Sequence, residues 1–470
     1  MRKSIKIDPV TRIEGHARVF INLTDDGCLE SAGLVVNELR GFEKILVGME
    51  ADRMPHVTAR ICGVCPTAHH LAASHALDNA CGVEPPPAAR LLRELMYLGH
   101  IIHSHCLSIF VLQGPDLVMG LDADPAVRNV VGMVQANPEL AKLALGLRTI
   151  GQQINEMVGG RGTHPVTSVA GGISFELDRE KLGVLSGWVA EAGRIVARLT
   201  PAVKELLNKT VEKHPALLSD WSAPSWGLGT VLEDRISLTA GTLCAIDEQG
   251  GVQAQFQAQE YDRYLVESVV EWSYMKKVAL QQDGPHEYRV GPMARINVGR
   301  RYGSELADAE LLEFAKLGGA PCHATILQTY AKLIETIWAV ERAESILKDP
   351  AIFGETRVPV QFKGGRGVGH VEAPRGTLFH DYQIDEKGIV RAANLIVATQ
   401  QNYAIINRSI EQAVRSHVIG RPDDQALLNA VEFSIRCYDP CLSCATHALG
   451  RLPIEMIVTR GGETVRTFGR

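Results

Sequence analysis

Four cysteines, arranged as two Cys-x-x-Cys pairs near opposite ends of the chain, are the residues best equipped for chemistry. The first pair lies in Arg60-Ile61-Cys62-Gly63-Val64-Cys65-Pro66-Thr67-Ala68-His69, the second in Asp439-Pro440-Cys441-Leu442-Ser443-Cys444-Ala445-Thr446-His447. Within each pair the thiols sit about one turn apart, so both sulfurs can reach one centre, and four thiolates suit a soft transition metal rather than Mg or Ca. The bland alternative is a structural zinc site. Zinc ribbons, however, close a loop of roughly 12–20 residues between their pairs, and here 376 positions separate Cys65 from Cys441. A thioredoxin-like dithiol needs only one pair, in a βαβ context that this sequence lacks. The flanks favour a catalytic centre. Arg60 could hydrogen-bond near the thiolates, and His69 follows Cys65 at helical spacing as a donor behind the metal ligands. Asp439-Pro440 fixes the approach of the second pair, and His447 follows Cys444 by three. Structural zinc needs none of these.

The elements that must bring the pairs together read as an α+β chain, predominantly helical, with a long-helix core bundle and small β regions. Residues 66–81 form a predicted helix directly after the first pair. Residues 88–118, 178–213 and about 323–348 carry apolar side chains at helical spacing. The N-terminal stretch alternates as a small sheet, with strands at Arg18–Leu23 and Leu34–Val36 around an Asp25-Asp26-Gly27 turn, and helical pattern begins near Glu43. Short β-like runs between about 220 and 300 (Leu228–Leu232, Arg235–Leu238) predict an inserted α+β part. Pro85-Pro86-Pro87, Gly159-Gly160-Arg161-Gly162 and Gly364-Gly365-Arg366-Gly367 read as breakers. Residues 1–447 are expected to form one unit, with a β region over about 1–40.

With 46% apolar and 22% charged residues, a net charge of −6 and a mean hydropathy of zero, the composition is that of an ordinary globular protein. It carries no Lys/Arg run of the kind that binds nucleic acid. No uninterrupted apolar stretch approaches membrane-span length. Arg2 and Lys3 lead straight into Ile5-Lys6-Ile7-Asp8-Pro9 without a signal core, which points to a cytoplasmic location. Ten cysteines are too few for a disulfide scaffold. Cys28, Cys81, Cys106, Cys244, Cys322 and Cys437 show no pairing pattern and read as small, buried or half-buried thiols.

The two cysteine motifs together resemble the signature pair of the [NiFe]-hydrogenase large subunit. Further matches to that family fall at Arg12-Ile13-Glu14-Gly15-His16, Arg40-Gly41-Phe42-Glu43, His164-Pro165 with Gly171-Gly172, Glu372-Ala373-Pro374-Arg375-Gly376, and Asn394 to Asn402. The resemblance implies a nickel and an iron sharing the four thiolates, the iron also carrying CO and cyanide. Cys62 and Cys441 would be terminal nickel ligands, and Cys65 and Cys444 would bridge the metals. The implied reaction is reversible heterolytic splitting of H2, with a thiolate as base. Glu14 resembles the carboxylate that passes the proton on beside Cys441, its pKa raised in an apolar pocket. Arg375 resembles the guanidinium above the metals, with Asp439 as its counter-charge, and Thr399 would hydrogen-bond a diatomic ligand. Many family members carry an acidic residue between two histidines in the helix after the first motif; here that segment reads His103-Ser104-His105. Glu43, His447 and a main-chain carbonyl near Leu395 resemble Mg ligands.

The family resemblance extends to partners and processing. Precursors carry a tail beyond the last motif histidine, removed by a specific endopeptidase after nickel loading; residues 448–470 fit such a tail. Nickel-insertion factors are implied with it. The chain has no spare cysteines arranged for an iron–sulfur cluster, so an iron–sulfur small subunit must take the electrons, docked over the Cys62/Cys65 side. The wording looks most like that of the F420-non-reducing large subunits feeding electron-transfer subunits linked to heterodisulfide reductase, with NAD- and F420-linked types as rivals. An H2-sensing hydrogenase and a zinc-stapled structural relative remain alternatives. A quinone-site subunit of respiratory NADH dehydrogenase would lack the four cysteines.

Overall fold

Alternation of apolar and polar residues builds the N-terminal sheet. In the computed structural model, which describes residues 3–418, 425–446, 455–460 and 463–469, three antiparallel strands pair in the order β1 (Lys3–Ile7), β2 (Ala17–Leu23) and β3 (Leu29–Val36). Every second residue of β2 is buried, as a half-buried strand requires.

The helical body follows. Helix α1 (Pro66–Cys81) starts with a proline, whose missing N–H costs nothing in a first turn, and ends on Gly82 in a left-handed C-cap. Helix α2 (Pro87–Cys106) continues into π-helical turns over Leu107–Leu112 and a separate short helix, Gly114–Met119. The expected segment 88–118 is therefore three pieces, broken where Gly114-Pro115 cannot continue the hydrogen-bond ladder. Helices α3 (Pro138–Gly159) and α4 (Arg179–Lys213) pack in succession beside α2. The stretch Pro87–Leu112 is long and apolar enough to cross a bilayer, yet its apolar surface is taken up by contacts inside the core.

The insertion holds strands β4 (Trp226–Leu232), β5 (Thr242–Ile246), β6 (Val252–Phe256), β7 (Leu265–Val270) and β8 (Ser273–Gln281), around a second, smaller apolar cluster. Helix α5 (Gln328–Lys348), almost wholly buried, returns to pack on α2 and α4. A three-stranded antiparallel sheet comes next: β9 (Gly365–Ala373), β10 (Gly376–Ile384) and β11 (Val390–Ile396). Helices α6 (Tyr403–Ala413) and α7 (Gln425–Tyr438) then pack against each other and carry the chain back to the centre.

Strand β9 corrects the reading of Gly364–Gly367 as breakers. It lies across α1 so closely that a Cβ on Gly367 would come 2.0 Å from the Ala76 carbonyl, and one on Gly369 2.1 Å from that of Ala72. Strand-on-helix contact this tight requires glycine at both positions. Below the sheet, fully buried Arg295 binds Glu335 through Nε (2.8 Å) and Nη2 (2.5 Å) and Glu372 through Nη1 (2.9 Å). His105 meets Glu335 at 2.8 Å. Thr230 and Thr377 donate to the other Glu372 oxygen. Breaking such a buried pair from one side costs about 3–5 kcal/mol, so the network clamps α2, α5 and β9 together beneath the cysteines.

Candidate metal centre

Both cysteine pairs sit where a loop enters a helix, which leaves their thiols pointing at one spot. Cys62 ends a short 3₁₀ turn and Cys65 precedes α1; Cys441 precedes the short helix Leu442–Ala445. The sulfurs of Cys62, Cys65, Cys441 and Cys444 all lie within 4.8 Å of one another. Adjacent pairs are 3.1 Å (Cys62–Cys441), 3.2 Å (Cys65–Cys444) and 2.8 Å (Cys441–Cys444) apart. All ten cysteines are free thiols, and none of the four is more than 5% exposed.

Electrostatics decides what this cluster wants. Hydrogen bonds from Cys441, then Cys444 and Cys65, pull the Cys62 thiol well below its ordinary range. Burial pushes Cys441 and Cys444 well above it. Left to itself the cluster holds one negative charge and resists a second, as coupled acids do. Four thiolates here need cationic charge among them, and a metal is the natural source. The donor set therefore fits soft metal ions.

The surroundings come from four separate segments. Residue 14 forms a parallel bridge with Cys441, and Glu14 Oε2 accepts from the Cys441 thiol (3.1 Å) and the Ser443 N–H (3.0 Å). Gly15 permits the approach, since a Cβ there would lie 2.8 Å from Leu442 Cβ and its φ is 82°. Glu14 is half-buried among donors rather than in an apolar pocket, because the bridge turns a backbone N–H towards it. Arg375, on the β9–β10 turn, donates through Nε to the Asp439 carbonyl (2.6 Å), through Nη2 to Asp439 Oδ1 (3.0 Å) and through Nη1 to Ser104 Oγ (3.4 Å). Burial alone would lower its pKa; Asp439 and the thiolates reverse that and hold it charged. Asp439 has a φ of 53°, a left-handed conformation that Asp tolerates better than most residues.

Thr399 Oγ1 accepts from the Cys441 N–H (2.9 Å), leaving its own proton to donate elsewhere. Beside the sulfurs lies a cavity of about 20 Å³. Ala68, Ala373, Leu378 and Val397 wall it, and Arg375 and Thr399 supply its polar edge. A larger cleft of about 740 Å³ borders the far end of α1 and part of α5. None of the four sulfurs lines it, and the arginines along it are ion-paired, Arg342 with Glu94, Arg93 with Asp78, Arg90 with Glu84 and Arg235 with Glu233; we place the chemistry at the small cavity.

His69 Nε2 lies 3.3 Å from Cys444 Sγ, and its Nδ1 is 3.0 Å from His380 Nε2. His380 in turn meets the Tyr382 hydroxyl at 2.5 Å. His380 and Tyr382 escape a motif search; their i, i+2 spacing on β10, which puts both on one face, is the signal that could find them. Glu43 Oε1 accepts from the Leu395 N–H (3.0 Å), and a strand residue carries its C=O on the same edge. The Arg40 N–H donates to the Thr446 carbonyl (2.9 Å), so this corner adjoins the end of the second motif. His447 itself lies outside the described residues.

One expectation fails locally. Arg60 is exposed and donates to the His56 carbonyl one turn back, away from the sulfurs, because the 3₁₀ turn points it outward. Arg40 binds the Ile61 carbonyl instead, at 3.0 Å. Cys437 is buried, with its thiol pushed up to about 12 by desolvation, but it stays outside the cluster because α7 ends at Tyr438.

Comparison with known proteins places this geometry in context. A family model for nickel-dependent hydrogenase matches residues 40–142 and 247–447, and a HoxL-like model matches residues 4–39. The chain is 42% identical to the vhu F420-non-reducing hydrogenase polypeptide of Methanococcus voltae, covering 87% of this chain and 97% of that protein. It is 36% identical to the beta polypeptide of the NAD-reducing hydrogenase HoxS of Cupriavidus necator, covering 97% of each. Among solved structures, an NAD⁺-reducing [NiFe]-hydrogenase in the H2-reduced state superposes with a TM-score of 0.90 at 37% identity, covering 95% of this chain and 99% of that one. The Ni-Fe-Se hydrogenase of D. vulgaris Hildenborough gives 0.77 at 26% identity, covering 95% and 100%.

Proposed function

Because the chain belongs to the nickel-dependent hydrogenase family, we propose that it is the catalytic subunit of a cytoplasmic [NiFe] hydrogenase, with each residue around the sulfurs in a defined role. The observation that carries the reading is the gathering of Cys62, Cys65, Cys441 and Cys444 within 4.8 Å. When bound, the nickel–iron pair supplies the electron-rich, Lewis-acidic site at which H2 is split. Cys62, Cys65, Cys441 and Cys444 would hold it through their four thiolates.

The chain's own residues do the rest. Glu14 Oε2 takes the proton from Cys441 Sγ across the hydrogen bond already present, and the Ser443 N–H holds that carboxylate in line. Arg375, fixed by Asp439, presents positive charge to the centre, and such a preorganised cation needs no reorganisation during reaction. The small apolar cavity suits CO and cyanide on iron, with the Thr399 hydroxyl and Arg375 as donors. His69 orients Cys444. Glu43 and the Leu395 carbonyl, completed by His447, are suited to Mg, a hard oxygen-seeking ion.

Electrons leave to an iron–sulfur small subunit, since only these four cysteines gather among the described residues. Arg60, Gly63, Gly160 and Arg161, near Cys62, are exposed and offer it a docking face. The relatives named as subunits A of F420-non-reducing hydrogenases support partner subunits, which we read as electron-transfer subunits linked to heterodisulfide reductase. The test is metal analysis with infrared spectroscopy of the purified complex. One nickel and one iron per chain with sharp bands from metal-bound CO and cyanide are expected; zinc alone without those bands would overturn the reading.

We also propose that residues 448–470 are a maturation tail, cut after His447 by an endopeptidase once nickel-insertion factors have loaded the site, with residues 1–447 as the mature unit. Intact mass of active enzyme should match a chain ending at His447. Active enzyme retaining Arg470 sinks this proposal alone.

A further inference from the structure

A buried ammonium stands behind the site with no acid of its own among the described residues. Lys332, in the first half of α5, is 1% exposed on a helix whose neighbours Leu333, Ile334 and Ile337 are core. Its Nζ donates to Ser108 Oγ (3.0 Å) and the Cys437 carbonyl (2.8 Å). No carboxylate pairs with it within ion-pair distance among the described residues. Burying a charge this way is costly unless something compensates it, and a tether between the same two groups needs only a neutral donor.

The groups facing Lys332 explain what a charge does there. Asp439 and Cys437 approach from the end of α7, Arg375 from the β9–β10 turn and His105 from α2. Asp439 attracts the ammonium while Arg375 repels it. Burial pulls Lys332 down to about 8, so it is largely charged at neutral pH. Asp439 is thus shared between two cations, Arg375 in direct contact (2.9 Å) and Lys332 behind it. Ser104, the remaining polar contact of Arg375, adds no negative charge. Arg375, Lys332 and Asp439 together therefore carry one more positive than negative charge. Four thiolates balance two divalent ions, so anionic ligands and added electrons have no counter-charge in the cysteines themselves.

We propose that Lys332 is a charge-positioning residue: it brackets Asp439 with Arg375 and biases the metal centre towards its more reduced states. This rests on the nickel–iron reading of the four thiolates. A structural tether predicts otherwise, because it requires Nζ as a donor and not as a charge. Lys332→Gln keeps donors for Ser108 and Cys437 without the charge; Lys332→Arg keeps the charge.

The experiment is an infrared-monitored redox titration of the purified complex. If the parent shows no metal-bound CO or cyanide bands, the nickel–iron reading itself fails. With the bands present, Lys332→Gln should shift them to lower frequency, since lost positive charge leaves more electron density on the metals. At the parent's midpoint potential, its reduced-to-oxidised ratio should fall on the order of tenfold, with Lys332→Arg staying near the parent. Bands and ratio in Lys332→Gln within about twofold of the parent, a change too small for the loss of a nearby buried charge, overturn the proposal. Should Lys332→Gln fail to mature, the parent answers by pH. Its bands should move to lower frequency on the alkaline side as Lys332 discharges, while those of Lys332→Arg stay fixed; identical pH profiles in the two overturn it equally.

Discussion

Glu14→Gln is expected to lower H2 turnover by roughly a hundred- to ten-thousand-fold, the range that a positioned proton-transfer group contributes, with nickel and iron content unchanged. The amide is nearly isosteric and its oxygen can still accept from the Ser443 N–H at the 3.0 Å now occupied by the carboxylate. What it loses is the ability to take a proton from Cys441 Sγ, 3.1 Å away, and release it again. Glu14→Asp draws the carboxylate back by one methylene and should fall between the two, because proton transfer needs hydrogen-bond reach. Turnover is to be measured with an artificial electron acceptor alongside metal content and D2/H⁺ exchange. If Glu14→Gln with full metal content works within about threefold of the parent, far below what such a group contributes, the proton leaves by another path. The nearest candidate is Cys444, His69, His380 and Tyr382, whose successive contacts are 3.3, 3.0 and 2.5 Å.

How much of this could be read without coordinates depends on the range of the interaction. Helix α1 was legible because its start signal, Pro66, and its end signal, Gly82, are both local. The meeting of residue 14 with Cys441 and of Arg375 with Asp439 is not local at all; it is suggested by motif resemblance and by nothing in the spacing. Strand β9 is illegible for the opposite reason. Its Gly367 and Gly369 look like flexible punctuation, and only the backbone of α1 pressing on them makes small residues necessary. Arg60 misleads because a motif states which residues are neighbours in sequence but not which way a 3₁₀ turn points them. Helix α3 goes unpredicted although Asn137-Pro138 at its start and Gly160 at its end are local signals of the same kind; Gly159-Gly160 reads on its own only as a breaker. Lys332 is visible as a charge flanked by apolar residues in the first half of α5, but its meaning depends on Asp439, from a different part of the chain.

The same distinction separates robust from fragile features of the site. The four sulfurs are each set by a short turn and a helix start, so local geometry protects them. The charge layer above them is assembled from α2, α5, the β9–β10 turn and the end of α7. It depends on tertiary packing, and on the Arg295–Glu335–Glu372 clamp in particular. Substitutions in that layer should leave the metals bound and change what they do.

Arg375→Lys tests that layer most severely. The guanidinium makes three contacts at fixed angles: Nε to the Asp439 carbonyl at 2.6 Å, Nη2 to Asp439 Oδ1 at 3.0 Å and Nη1 to Ser104 Oγ at 3.4 Å. A lysine keeps the charge but has one nitrogen in place of a planar fork, so it cannot serve Asp439 from two directions and still face the metals. Turnover should fall by roughly a hundred- to a thousand-fold, as when one preorganised donor is lost from a transition-state site. Metal content should stay intact, because no cysteine moves. Ser104→Asp supplies the informative contrast. It places a second carboxylate against Nη1, neutralising the excess positive charge without disturbing the fork, and should therefore move the redox midpoint more than the turnover. If Arg375→Lys retains turnover within about threefold, charge alone suffices and the geometric role of the fork is wrong. If Ser104→Asp lowers turnover as deeply as Arg375→Lys, net charge rather than fork geometry governs the layer.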